Sequence, residues 1–201
     1  VSALVAPPAT PFLATVHELD DATLARMRGR SWRPDPRCPA PAALRRIEAR
    51  HADFAGRATI GELVVAAEVA AATVALLARL YAIGFPIRRL HLIDDHDGDD
   101  DASMAADNSS AFNFRTVAGT ELLSQHAFGR ALDLNPVENP WITSRGLAPA
   151  AGEAYRDRTR VRPGMIVRPG PVTAILDELG WEWGGDWRHA RDYHHVVAPA
   201  R

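Results

Sequence analysis

The stretch Ser124-Gln125-His126-Ala127-Phe128-Gly129-Arg130-Ala131-Leu132-Asp133-Leu134 joins a polar turn to an apolar run. Gly129 supplies the turn, because a residue without Cβ reaches backbone conformations that others avoid. Ala131 to Leu134 then reads as a strand. His126 and Asp133 stand seven positions apart, a spacing that is useful only if the turn lets the two side chains converge. Spacing alone carries little weight: the chain has 8 His, and a His–Asp pair at this separation arises readily by chance.

A second segment, Asp192-Tyr193-His194-His195, follows the aromatic and glycine-rich run Gly180-Trp181-Glu182-Trp183-Gly184-Gly185-Asp186-Trp187. Catalytic zinc takes three protein ligands and keeps a fourth position for water, whereas structural sites are closed by four. His126, Asp133 and one of the two adjacent histidines would supply three. Asp192 would then be free to take a proton from water whose pKa zinc lowers from 15.7 to about 7. A carboxylate so placed acts as general base and afterwards hands the proton to the leaving amine. Cys38 is the only cysteine, so a disulfide framework and a Cys-based zinc site are both excluded.

These residues resemble a known family, the zinc peptidases of bacterial cell-wall peptides, which includes VanX/VanY-type D-alanyl-D-alanine peptidases and phage L-alanyl-D-glutamate endolysins. The family pattern Ser-x-His-x-x-Gly-x-Ala-x-Asp matches Ser124, His126, Gly129, Ala131 and Asp133 without a gap, and an acid-x-x-His frame matches Asp192 and His195. The tryptophan-rich run and an Asp as the acid are similar to the endolysin-like branch. Asn108-Ser109-Ser110-Ala111-Phe112-Asn113-Phe114-Arg115 is similar to the family stretch that ends in an active-site arginine. The resemblance spans about Gly61 to Val197. It implies His126, Asp133 and His195 as zinc ligands, Asp192 as catalytic base, and Arg115 as a substrate-binding and charge-stabilising group. It implies for Ser124 either a hydrogen bond to substrate or a role in holding the turn. His194 beside the implied ligand permits a swap, and only the acid-x-x-His frame selects His195. Val196 stands where the family often carries an aromatic residue.

Away from these motifs, prolines cluster before residue 43, and residues 1–43 read as a Pro-rich arm packed on the body by Trp32, with one short helix near Asp21 to Arg28. Residues 44–201 then form the peptidase domain. Gly61 to Val65 and Ile87 to Ile93 read as strands, Ala67 to Ile83 as an amphipathic helix stopped by Gly84, and Pro171 to Leu179 as a helix closed by Gly180. Helices and strands mix without a βαβ rhythm, which predicts an α+β domain with a central antiparallel sheet, and the resemblance adds the hedgehog/D,D-peptidase type. The acidic run Asp94 to Asp101 fails the calcium-loop template, since a glycine at the sixth position puts Ile93 first and Met104 twelfth, and it reads as a solvated loop with one or two carboxylates paired to nearby arginines, a salt bridge to it near Asp101 being the alternative role of Arg115. Phe112 and Phe114 read as core, as do two of Trp181, Trp183 and Trp187, although any of the three could line a cleft.

Twenty-three Lys and Arg against 25 Asp and Glu give a net charge of −2, which argues against a nucleic-acid partner. Leu63 to Leu80 is too polar for a membrane span. The start at Val1 suggests a removed N-terminal segment. The expected function is a zinc metallopeptidase acting on peptidoglycan stem peptides, as a monomer outside the bacterial cytoplasm. D-alanyl-D-alanine carboxypeptidase activity is favoured, with L-alanyl-D-glutamate endopeptidase as alternative and a non-catalytic zinc-bearing cell-wall binding module as the rival of another class.

Overall fold

Leu44, Ile47 and Ala49 recur among Arg45, Arg46, Glu48 and Arg50, an alternation that suits a strand with one face on a core. In the computed structural model, which describes residues 2–144 and 146–200, this stretch is the middle of a three-stranded antiparallel sheet. Its strands are β1 (Ala14–Glu18), β2 (Leu44–Ala52) and β3 (Ala58–Ala66), in that order. Helix α1 (Asp21–Met27) follows β1, its first turn capped by the Asp20 carboxylate accepting from the Thr23 amide. Glu48 and Glu62 fall directly opposite each other in the β2–β3 register, a repulsive pairing. Arg46 resolves it by reaching both, at 2.8 and 3.1 Å.

A 3-10 turn at Ala67–Val69 leads into helix α2 (Ala70–Ala82). Thr73, Leu76, Leu77 and Leu80 face inward at helical spacing, and Gly84 ends the segment at φ +72. Downstream come β4 (Arg89–Leu90), α3 (Asp100–Ala105), β5 (Asn108–Ser109), β6 (Ala131–Asp133), β7 (Trp141–Thr143), β8 (Gly146–Ala148), α4 (Pro171–Leu179), β9 (Glu182–Trp183), β10 (Arg191–Asp192) and β11 (His195–Val197).

The architecture is α+β, but the antiparallel pairing is divided rather than central. Besides β1-β2-β3, the described residues form the sheets β6-β11-β9 and β10-β7-β8, and β4 pairs with β5 in parallel. The strand expected over Ile87 to Ile93 shrinks to two residues for a visible reason. The Asn108 side chain accepts from the His91 amide and donates to its carbonyl, occupying groups that a longer ladder would need. Gly61 permits the close approach there, because a Cβ on it would meet the Leu90 Cβ at 2.4 Å.

Two cores position the site. The larger gathers Leu63, Val65, Leu76, Leu80, Leu132, Leu134, Ile175, Leu176, Trp181, Trp183 and Val196. The smaller gathers Met27, Leu44, Val64, Leu92, Phe112, Phe114 and Ala127, with Trp32 packed against it. The first 43 residues are joined to the rest by β1 and by backbone bonds such as Val5 N–H to Gly84 O and Phe114 N–H to Ser31 O. The acidic run is less solvated than expected. It forms a 3-10 turn at Ile93–His96 and the start of α3, where Asp99 caps the helix, and Asp94 is buried, accepting from the amide and hydroxyl of Ser31.

Candidate metal centre

Asp133 and His195 are rungs of one ladder. β6 and β11 pair antiparallel with His195 opposite Asp133, and opposed residues of an antiparallel pair project from the same face. Sixty-two positions of separation along the chain are thereby closed by strand register alone. His126 arrives differently, from a 3-10 turn at Gln125–Phe128. Ser124 caps that turn, its Oγ accepting from the His126 amide at 3.3 Å, and is itself buried. Gly129 closes it at φ +66, where a Cβ would stand 2.5 Å from the Ala66 backbone nitrogen. Only glycine satisfies both the dihedral and the space.

The three side chains meet as a triangle. His126 Nε2 lies 3.1 Å from Asp133 Oδ2 and 3.1 Å from His195 Nδ1, and His195 Nδ1 lies 3.1 Å from Asp133 Oδ1. Donor atoms around a tetrahedral zinc with legs of about 2.0–2.1 Å stand roughly 3.3–3.4 Å apart, so the observed edges are close to what such an ion imposes. His126 Nδ1 is 2.6 Å from the Ala111 carbonyl oxygen, which as acceptor fixes the proton there and turns the Nε2 lone pair inward. All three are buried, at 2, 3 and 8% exposure for His126, Asp133 and His195. Two imidazole nitrogens facing each other inside a protein are repulsive unless a proton or a cation lies between them. The donor set therefore fits a divalent ion, and these three residues are the group of the described chain that could hold one.

The electrostatics agree. Burial alone would raise the Asp133 carboxyl, but the imidazoles of His126 and His194 hold it well below the usual carboxylate range. Burial pulls His126 down, and the charge and hydrogen bond of Asp133 outweigh it, leaving it raised.

The other expected residues surround the triangle. Asp192, on β10, is partly exposed and approaches the triangle through His194, whose Nε2 is 2.9 Å from Asp192 Oδ1 and 3.9 Å from Asp133 Oδ1. His194 is thus turned toward Asp192 and not into the triangle. Burial lowers its pKa, but the charges of Asp192 and Asp133 push it up to about 10. Arg115 pairs with Asp100 of α3 at 2.8 Å. Burial, with the charge of Asp133 added, raises the Asp100 carboxyl against the pull of Arg115, so this pair lies within electrostatic reach of the triangle. Trp181 and Trp183 are buried in the core, while Trp187 is 42% exposed with its ring 5.5 Å from that of His195. The acidic run was the alternative partner expected for Arg115, and Asp100 is the member it meets. Two contributors carry no sequence signal: Ala111 and Asn139 act through backbone carbonyls on the Nδ1 atoms of His126 and His194, which no side chain advertises.

None of the helices among the described residues is long and apolar enough to cross a membrane. No curated protein and no solved structure matches the chain. One family model does, described as D-alanyl-D-alanine carboxypeptidase: it matches residues 118–197, a segment that takes in Ser124, His126, Asp133, Asp192 and His195 and begins just after Arg115.

Proposed function

We propose that the chain is a zinc metallopeptidase of peptidoglycan stem peptides, with D-alanyl-D-alanine carboxypeptidase activity as its reaction. The observation that carries this reading is the buried triangle of His126, Asp133 and His195, with edges of 3.1 Å, inside the segment similar to carboxypeptidases. When bound by these three residues, zinc supplies Lewis acidity, polarising a carbonyl and lowering the pKa of water from 15.7 to about 7.

The chain's own groups do the rest. Asp192 takes the proton of the attacking water and delivers it to the leaving amine nitrogen, so that one carboxylate serves as base and then acid. Arg115 offers its guanidinium to the oxygen on which negative charge develops, or to the substrate carboxylate. Asp100 holds that guanidinium at 2.8 Å. Ser124 keeps the His126 turn in shape. A site that only stored a metal would need neither Asp192 nor Arg115. Substrates of this kind lie outside the cytoplasm, so the enzyme works there.

Purified muropeptides incubated with protein and zinc, then read by product mass, test the proposal. Loss of a single alanine is the expected result. Release of a longer peptide instead assigns the L-alanyl-D-glutamate bond, and no change with zinc bound assigns a binding module and overturns the enzyme.

A further inference from the structure

The motif carries two adjacent histidines, and the metal triangle uses one. His194 is 3% exposed, and each ring nitrogen has a polar neighbour. Nδ1 lies 2.8 Å from the Asn139 carbonyl oxygen, which can only accept. That contact fixes the ring, and Nε2 then faces the Asp192 carboxylate at 2.9 Å.

Asn139 is a firm anchor. Its amide nitrogen donates to the carbonyls of Leu134, Asn135 and Gly164, and its Oδ1 accepts from the Ile166 amide at 2.7 Å and from Arg158 at 3.0 Å. Every one of these groups belongs to the body beneath the site. The Asp192 backbone is paired with Trp141 of β7, but its carboxylate has no such anchor. The residue follows an exposed stretch, residues 186–191, on a two-residue strand, and its carboxylate has no hydrogen-bond partner at Oδ1 among the described residues, His194 approaching at ion-pair distance but off the bonding axis. Catalytic contacts are often poorly aligned without substrate and tighten in the complex.

We infer that His194 is a positioning residue for Asp192, transmitting the rigidity of the Asn139 anchor to a carboxylate that its own partly exposed strand leaves free to rotate. This rests on the reading of Asp192 as the base. His194 is not a ligand: its Nε2 stands 3.9 Å from Asp133 Oδ1 against 3.1 Å for the triangle edges.

The test uses the full-length protein, with zinc stoichiometry and affinity measured beside steady-state kinetics on muropeptides. His194→Ala should bind one zinc with affinity close to wild type and keep KM, while kcat falls about 10- to 100-fold, the range seen when an outer partner is removed. His194→Gln can place an amide nitrogen near the Nε2 position and should recover most of the loss. His194→Asn can place one only near Nδ1 and should not. This pair carries the test if the alanine variant fails to fold. In an Asp192→Ala background, His194→Ala should cost nothing more, because a residue that acts only through Asp192 has nothing left to position.

Unchanged kcat in a wild-type-active preparation overturns this inference alone, as does equal behaviour of the Gln and Asn variants. Loss of zinc from His194→Ala makes the residue a ligand and also overturns it. A wild-type protein that binds zinc and cleaves nothing removes Asp192 as base and this inference with it.

Discussion

Asp133 and Glu138 are both buried carboxylates, at 3 and 1% exposure, and five positions apart they are driven in opposite directions. Asp133 faces imidazoles and is held well below the usual range. Glu138 is raised to about 7, first by burial and then by the neighbouring Asp107 carboxylate, with Arg88 opposing from 3.2 Å. Burial is common to both, so the neighbours decide the sign. One site keeps a negative charge, as a cation would require. The other keeps a proton.

The largest effect should come from breaking the first member of this pair. Asp133→Ala removes a donor and the only anion of the triangle, and zinc affinity should fall by more than the roughly 100-fold that loss of an outer partner costs. Competition against a chelator measures it, and an affinity within tenfold of wild type would show that Asp133 is no ligand. Next comes the partly exposed Asp192. Asp192→Ala should keep one zinc per chain while kcat drops about 10²- to 10⁴-fold, and retention of turnover would remove the general base from the mechanism.

The second member is tested by pH. With a folded pKa near 7 against an ordinary 4.5, neutral Glu138 favours the fold fully below about pH 4.5, and that contribution is lost as pH rises through 7. Glu138→Gln should therefore flatten the stability profile between pH 5 and 8 and raise stability at pH 8 by about 1–3 kcal/mol. Urea melts at the two pH values decide it, and an unaltered slope would mean that Glu138 is ionised in the fold. The smallest effect marks the surface baseline. Arg79 and Glu178 tie α2 to α4 through a two-pronged pair but are largely exposed, so Arg79→Ala should cost less than about 1 kcal/mol. A larger loss would show that exposure is a poor guide here.

The same contrast explains what could be read from the chain beforehand. His126, Asp133 and His195 stood out through the family resemblance, since their spacing alone carried little weight, and strand register is what brings Asp133 and His195 together. Helices α2 and α4 were legible from apolar period and closing glycines. Strand β2 was not, since Arg45, Arg46, Glu48 and Arg50 mask its inward face, and the span after Ile87 read as a longer strand because its competitor is the side chain of Asn108, many positions away. Arg115 stood out and the acidic run was its expected alternative partner, but Asp100 lay there among five other acids. Asn139 works through its main chain and could not have been found without coordinates.

Because strand pairing alone brings Asp133 and His195 face to face, the tract joining them is free of any duty to measure distance. Its exposed tip at Thr159 and Arg160, just past the Arg158 guanidinium that anchors Asn139 and Ile166, can lengthen without moving either donor. Longer loops inserted at that tip offer a way to reshape the surface near the site while the triangle of His126, Asp133 and His195 stays where it is.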